Sequence, residues 1–369
     1  MNSKPLHVGI IGCGKISNAY FDGLSLFPDL VKVIACADLE SERASAKAHE
    51  KNIPKSLTVD SLLQDPKIDL VVNLTVPLVH ASVNTAALEA GKHVYCEKPF
   101  SISTEEGKKV ADFAVKKNLR VGTAPDTFLG SGLQTCRWLI DQGKIGQPIA
   151  GTAFMVCHGH EHWHPSPEFY YLKGGGPLFD MGPYYITALI HLMGPIKRVS
   201  ASVKSSFSTR TITSEPQTGK VILVETPTHY SGTLDFENGA LITIIMSFDV
   251  WSHHLPRLEI YGTEGSLSCP DPNCFHEENA IQIKHSGDLE WKTIPLHHPH
   301  RVGRGMGVVD MAHAIRHDQP HRCNGDLGLH VVEVMQAFEE SSRLGKHIEI
   351  KSTCLQPQAL QPELKTMFS

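Results

Sequence analysis

The chain carries no basic excess. Its 34 Lys and Arg residues face 39 Asp and Glu, a formal charge of −5, whereas nucleic-acid binders show a positive patch or stripe; nucleic acid is therefore not an expected partner. No stretch reaches 18 uninterrupted apolar residues, so no membrane-spanning helix is expected. The opening MNSKPLHVGIIG runs straight into a strand pattern, with an apolar run too short for a signal peptide. A disulfide framework is missing as well. The nine cysteines are odd in number, scattered, and mostly inside apolar runs, which fits reduced thiols in the cytoplasm. There is no internal repeat and no low-complexity segment. What is present is ordinary globular composition, 41% hydrophobic and 20% charged. The 369 residues exceed the roughly 250–300 at which a single core stops growing, so about two domains are expected.

The first third alternates apolar runs with amphipathic ones. HVGIIG (7–12), VKVIACAD (31–38), DLVVNLT (69–75), KHVYCE (92–97) and LRVGTA (119–124) read as strands. Helical patterns lie between them at about 15–26, at 41–52, after Pro77 up to Gly91, and at 104–117. Repeated strand–helix alternation predicts a doubly wound parallel sheet, an α/β domain over 1–124. TAPDTFLGSGLQTCRWLID (123–141) reads as the crossover into the next domain. From Gly151 the texture changes to strand-like runs: IAGTAFMVCH, RVSASVKSSF, THYSGTLDF, ALITIIMSF, RLEIYGT, GSLSCP and AIQIKH. DFENGALITI predicts a hairpin turning on Asn238-Gly239. The expected second domain, 125–369, is α+β with a large, mostly antiparallel open sheet and helices at about 304–317 and 326–344.

Three short segments carry chemistry. Gly12-Cys13-Gly14 sits between the first strand and the first helix, where glycines let a pyrophosphate approach a helix N-terminus. Ser17 takes the place of a third glycine and is small enough for helix–sheet packing. Asp38, at the end of the second strand, is positioned to bond a ribose 2′-hydroxyl, which favours NAD over NADP. Glu97-Lys98-Pro99 follows the strand 92–97 directly, at the carboxyl edge where open α/β sheets bind ligands. A lysine there can exchange a proton with a substrate hydroxyl. GGGPLFDMGPYY (174–185) places Asp180 and Tyr184 four residues apart, on one face of a helix. Asp180 is also a good helix N-cap, with Pro183 in the first turn and Gly194-Pro195 as the stop.

Together these motifs resemble the glucose–fructose oxidoreductase/inositol dehydrogenase/MocA family. The likeness runs from VGIIGCGKIS through CADLESER, NLTVPLVH and YCEKPFS to GGGPLFDMGPYY. It implies a nicotinamide-dependent oxidoreductase acting on a sugar, sugar derivative or cyclitol alcohol. It also implies a homo-oligomer, dimer or tetramer, assembled through the C-terminal sheet. Cofactor contacts implied on the matching positions are Gly12, Cys13, Gly14, Lys15, Ile16, Asp38, Thr75, Pro77, His80, Glu97 and Lys98. Lys98, Asp180 and Tyr184 would face the nicotinamide. In inositol-dehydrogenase-like members the last of these is a histidine base; here it is Tyr184. A tyrosine ordinarily titrates near 10 and needs a cation such as Lys98 to act near neutral pH, so either Tyr184 or Lys98 is the proton-transfer group. Two other readings of the same scaffold are a tightly held NAD used for transient oxidation and a non-catalytic NAD(H) sensor.

HGHEHWHP places His158, His160, His162 and His164 at alternate positions, on one face if the preceding strand continues. An extended strand spaces such side chains too widely for one ion, and neither this run nor CPDPNCFH (269–276) has metal-site spacing, so no metal is expected. The expected use of His158, His160, Trp163 and His164 is as a wall of the substrate site, with Asp126 another lining candidate. His253, His254, Arg301 and Arg304 are weaker ones.

Overall fold

A computed structural model describes residues 4–297 and 301–361. The chain divides into two compact units, Met1–Gly130 with Pro299–Val332 and Leu360–Ser369, and Ser131–His298 with Glu333–Ala359.

In the first unit, β1 (Leu6–Ile11), β2 (Val31–Ala37), β3 (Lys55–Leu57), β4 (Leu70–Asn73), β5 (His93–Cys96) and β6 (Val121–Thr123) form one sheet in the order β3-β2-β1-β4-β5-β6. Every pairing is parallel. The crossovers carry α1 (Ser17–Ser25), α2 (Ser41–Lys51), α3 (Val59–Gln64), α4 (His80–Glu89) and α5 (Thr104–Lys116). β4 is buried along its whole length, as a parallel strand covered on both faces must be. The strand order reverses between β1 and β4, which opens the crevice where doubly wound sheets take their ligands. β3 and α3 have no counterpart among the expected elements. One is three residues long and only partly buried, the other six residues long, and neither is long enough to display a period.

The second unit begins with α6 (Ser131–Asp141), β7 (Pro148–Val156) and α7 (Gly176–Met193), then β8 (Ile196–Lys204), β9 (Thr209–Thr211), β10 (Val221–Leu223), β11 (His229–Phe236), β12 (Leu241–Ser247), β13 (Leu258–Gly262), β14 (Gly265–Cys269), β15 (Gln282–His285) and β16 (Lys292–Thr293). With β17 (Ile348–Glu349), nine of these strands form one sheet in the order β16-β15-β14-β13-β7-β12-β11-β8-β17. Only β7 and β12 pair in parallel; the other pairs are antiparallel. β12 alternates from exposed Leu241 to buried Ile242, exposed Thr243 and buried Ile244, the pattern of a sheet packed on one face. α7 packs against β7, β11 and β12.

Two local expectations change. The β11–β12 hairpin forms, but Phe236 N–H donates to Ala240 O (3.0 Å), so its loop is Glu237-Asn238-Gly239 with Gly239 at φ 90°. That is the three-residue form with glycine in the left-handed position. α7 starts at Gly176, with Pro177 in its first turn, so Asp180 is not the N-cap and Pro183 lies inside the helix. The stop at Gly194 is as expected.

The chain then returns to the first unit through α8 (Met306–His317) and enters α9 (Gly325–Leu344). α8 packs on α1 and β6, and Thr123 N–H donates to Cys323 O (2.9 Å). Residues 301–332 therefore belong with the parallel sheet, where a single cut after residue 124 puts them in the second domain.

At position 12 glycine is dictated by geometry. Gly12 has φ 99°, and a Cβ there would lie 2.6 Å from the Leu74 carbonyl oxygen, whereas a Cβ on Gly14 meets nothing within 4 Å. Gly12→Ala is expected to cost about 2 kcal/mol or more, and Gly14→Ala close to nothing. Thermal unfolding of the two variants checks this; equal losses contradict it.

Candidate active site

The turn after β1 is built by backbone hydrogen bonds. Gly12 N–H donates to Ala37 O (2.9 Å), and Leu74 N–H to Ile11 O (2.8 Å), so the ends of β1, β2 and β4 are tied together. Asp38 closes the arrangement. Its Oδ2 accepts the Cys13 N–H (2.8 Å), and its Oδ1 accepts from Glu40 N–H (3.0 Å) and Arg43 Nη1 (3.3 Å). Ser17, fully buried, bonds back to Gly14 O through its hydroxyl (2.7 Å). Cys13 is buried, Ile16 half-buried, and Gly14 and Lys15 are exposed. The space over Gly14, just before α1, is open.

At the carboxyl edge of β4 and β5, Glu97 is buried, accepts the Tyr20 hydroxyl at Oε1 (2.9 Å) and accepts the Lys98 N–H at Oε2 (2.8 Å). Lys98 is half-buried, and its peptide bond to Pro99 is cis. His80, expected to touch the cofactor, is fully buried and braces two loops: Nδ1 lies 2.7 Å from Pro99 O and Nε2 2.9 Å from Thr75 O. Burial lowers its pKa against the pull of both carbonyls, and a neutral imidazole donates to only one of them at a time. Thr75 is fixed by Asn73, whose Oδ1 accepts both its N–H (3.2 Å) and its hydroxyl (2.7 Å). Thr75 and Pro77 are half-buried at this edge. Tyr20 and Asn73 had no signal in the sequence, because their partners are known only once the strands are aligned.

Asp126 corrects an expectation. It is fully buried, and its Oδ2 accepts the N–H groups of Gly305 (2.9 Å) and Gly307 (3.0 Å). These open α8, so the residue expected at the substrate is a capping acid. Its Oδ1 has no partner among the described residues. Burial pushes its pKa up to about 6, against the pull of the two amides and of Arg304.

In the second unit Asp180 and Tyr184 lie one turn apart on α7. Tyr184 retains 5% of its surface. Asp180 Oδ2 lies 3.5 Å from His160 Nε2. Trp163 Nε1 donates to His160 Nδ1 (3.3 Å), which leaves the Nε2 side of that ring to face the carboxylate. The histidines do not share a strand face, because β7 ends at Val156 and residues 161–163 form a turn. His164 N–H closes that turn on His160 O (2.9 Å). His158 stacks on Trp251, and His164 packs edge-on against Phe169 and Tyr170. A buried network missing from the sequence reading holds the segment: Glu161 accepts from Tyr171 and from Arg210 (3.0 Å), and Arg210 also binds Asp249. His253, His254 and Arg301 are exposed. Among the described residues no group of three His, Cys, Asp or Glu side chains could hold a metal ion. Among the described residues the cysteines form no disulfide, and no helix is long and apolar enough to cross a membrane.

A 3-2-1-4-5-6 sheet and a glycine turn closed by an acid at the end of β2 make the first unit a fold of the dinucleotide-binding Rossmann class. Residues 6–124 match the model of the oxidoreductase family with an NAD-binding Rossmann fold, and residues 133–268 that of the GFO/IDH/MocA C-terminal domain. The chain belongs to the GFO/IDH/MocA oxidoreductase family, and its cofactor is NAD. The oxidoreductase YrbE of Bacillus subtilis (strain 168) is 24% identical over 95% of this chain and 98% of its own length. The 1,5-anhydro-D-fructose reductase of Ensifer adhaerens is 27% identical over 70% of this chain and 74% of its own. A levoglucosan dehydrogenase in complex with NADH and L-sorbose superposes with a TM-score of 0.80 at 22% identity, covering 95% of this chain and 100% of that one; this likeness speaks for the fold.

Two outcomes follow from these carboxylates. Asp38 would oppose a 2′-phosphate, so NAD(H) is expected to bind at least about tenfold tighter than NADP(H). Asp38→Ser narrows the gap, mainly by weakening NAD; calorimetric titration of both cofactors reads it, and equal wild-type affinities contradict it. Asp126 has a folded pKa raised from 3.8 to about 6, so its contribution to stability is complete below the lower value and is lost as pH rises through the upper one. The melting temperature of wild type relative to Asp126→Asn should therefore fall between about pH 4 and 6.5 and level off above. A flat difference contradicts the assignment.

Proposed function

We propose that the protein is an NAD-dependent dehydrogenase of a secondary alcohol on a sugar, sugar derivative or inositol, in which Lys98, Asp180 and Tyr184 manage the hydroxyl proton. The first unit holds the cofactor, and the second presents the substrate-binding and oligomerisation surfaces. NAD, when bound, supplies the hydride acceptor. Tyr184 Oη takes the hydroxyl proton. Lys98 Nζ is the cation that the motif supplies to make a phenolate accessible near neutral pH, or is itself the proton carrier. Asp180, with His160 against its carboxylate, orients a substrate hydroxyl or Lys98. The reverse reduction uses the same groups.

The observation that most supports this reading is the Asp180–His160 contact at 3.5 Å beside Tyr184 on the same helix. It groups an acid, an imidazole and a phenol, the groups that recognise and deprotonate an alcohol. The similarity to a 1,5-anhydro-D-fructose reductase supports a sugar-derived substrate. Cysteines without a disulfide among the described residues fit a reducing compartment such as the cytoplasm. A dimer or tetramer through the open sheet belongs to the same reading.

Lys98→Met is expected to keep NAD affinity within a few-fold and to lower turnover by roughly 10²–10⁴. Tyr184→Phe should cost a similar factor. Absorbance of NADH across a panel of sugars and cyclitols reads both. Near-native turnover in Lys98→Met overturns the assignment, and a change confined to KM in Tyr184→Phe makes Tyr184 a binding group.

A further inference from the structure

The parallel β7–β12 ladder does not stop where the strands end. Cys157 N–H donates to Ser247 O (2.9 Å) and Val250 N–H to Cys157 O (3.0 Å). The next residue on each side, His158 and Trp251, is thereby brought abreast, and their rings stack at 3.3 Å between centroids and 17° between planes. Trp251 is nevertheless 82% exposed. A large aromatic ring is held in position by one face while much of its surface stays in water. Phe207, 44% exposed, stands edge-on to His158 at 6.3 Å.

These aromatics line a cavity of about 800 Å³ within the second unit, a volume typical of small-molecule sites. Its other walls carry the exposed hydroxyl residues Thr209, Thr211, Thr213 and Ser252. Its one guanidinium is already paired: Arg210, 5% exposed, binds Glu161 at 3.0 Å and Asp249, and the exposed imidazoles of His162 and His253 complete the polar lining. Burial, followed by the Arg210 charge, lowers the pKa of His158 against the pull of Glu161 and Asp249. No uncompensated Lys or Arg is there to favour a phosphate or carboxylate. An exposed aromatic face ringed by neutral hydroxyls instead matches a pyranose, whose C–H face is apolar and whose edge is polar. Cys157, His158, Glu161 and His162 of the lining flank His160 in the chain, the residue in contact with Asp180.

We propose that this cavity is a second sugar-ring subsite, with Trp251 as its platform, so that the substrate is a glycoside or oligosaccharide rather than a free monosaccharide. The proposal rests on the sugar-alcohol reading of the Asp180–Tyr184 site and extends it by one ring.

Calorimetry on NADH-loaded protein tests it without turnover, using methyl α- and β-D-glucoside against maltose, cellobiose and trehalose. At least one disaccharide should bind about tenfold or more tighter than the methyl glucosides, the order of one aromatic stacking contact. Trp251→Ala should bring that ratio to about one, and Trp251→Phe should keep most of it. Disaccharides no tighter than methyl glucosides, binding of none of the five, or an unchanged ratio in Trp251→Ala overturns the subsite. So does a fall in oligomeric mass of Trp251→Ala by light scattering, which makes the ring an interface residue. If none of these sugars yields NADH from NAD⁺ while the affinity ratio behaves as expected, the reading of the reaction fails and the subsite stands.

Discussion

Between β1 and α1 the backbone passes so close to the Leu74 carbonyl that residue 12 has no room for a side chain, and it does so in the left-handed region. Only glycine satisfies both conditions without strain. Much of the arrangement at that edge of the first unit follows. The turn leaves the Cys13 amide facing Asp38, and the space over Gly14 stays clear. The same edge carries Thr75, clamped by Asn73, and Lys98, whose backbone is held by Glu97. The chemistry of the first unit is thus set largely by main-chain geometry, with buried side chains as braces.

The second unit works by the opposite means. Residues 157–164 lie outside helix and strand, and buried side chains add to their few backbone bonds: the Glu161 carboxylate, the Arg210 fork, Asp249 and the Tyr171 hydroxyl. A buried guanidinium between two carboxylates carries a desolvation cost that its geometry must offset. Here the pairing also neutralises the wall of a cavity and leaves aromatic and hydroxyl groups to define what enters. The histidines that look like a set in the sequence are thereby sent to separate neighbours: His158 to Trp251, His160 to Asp180 and His164 to Phe169 and Tyr170.

Local pattern alone was enough for the parallel sheet, the change to an antiparallel one, the glycine turn and the placing of Asp180 and Tyr184 on one helix. Each is written in residues close together in the chain, as a period of two or 3.6 or as a turn of fixed composition. Tertiary structure alone decided that α8 joins the parallel sheet, that Asp126 is its buried cap, and that His80 braces two loops. It also decided that Trp251 lies against His158, and that Arg210 is spent on Glu161 and Asp249. Apart from His80 and Thr75, five positions apart, the hydrogen bonds of His80, Arg210 and Asp126 span 19 to 181 positions. Beyond a few turns of helix or one hairpin, no sequence period records which side chains meet; packing settles that after the strands are in register.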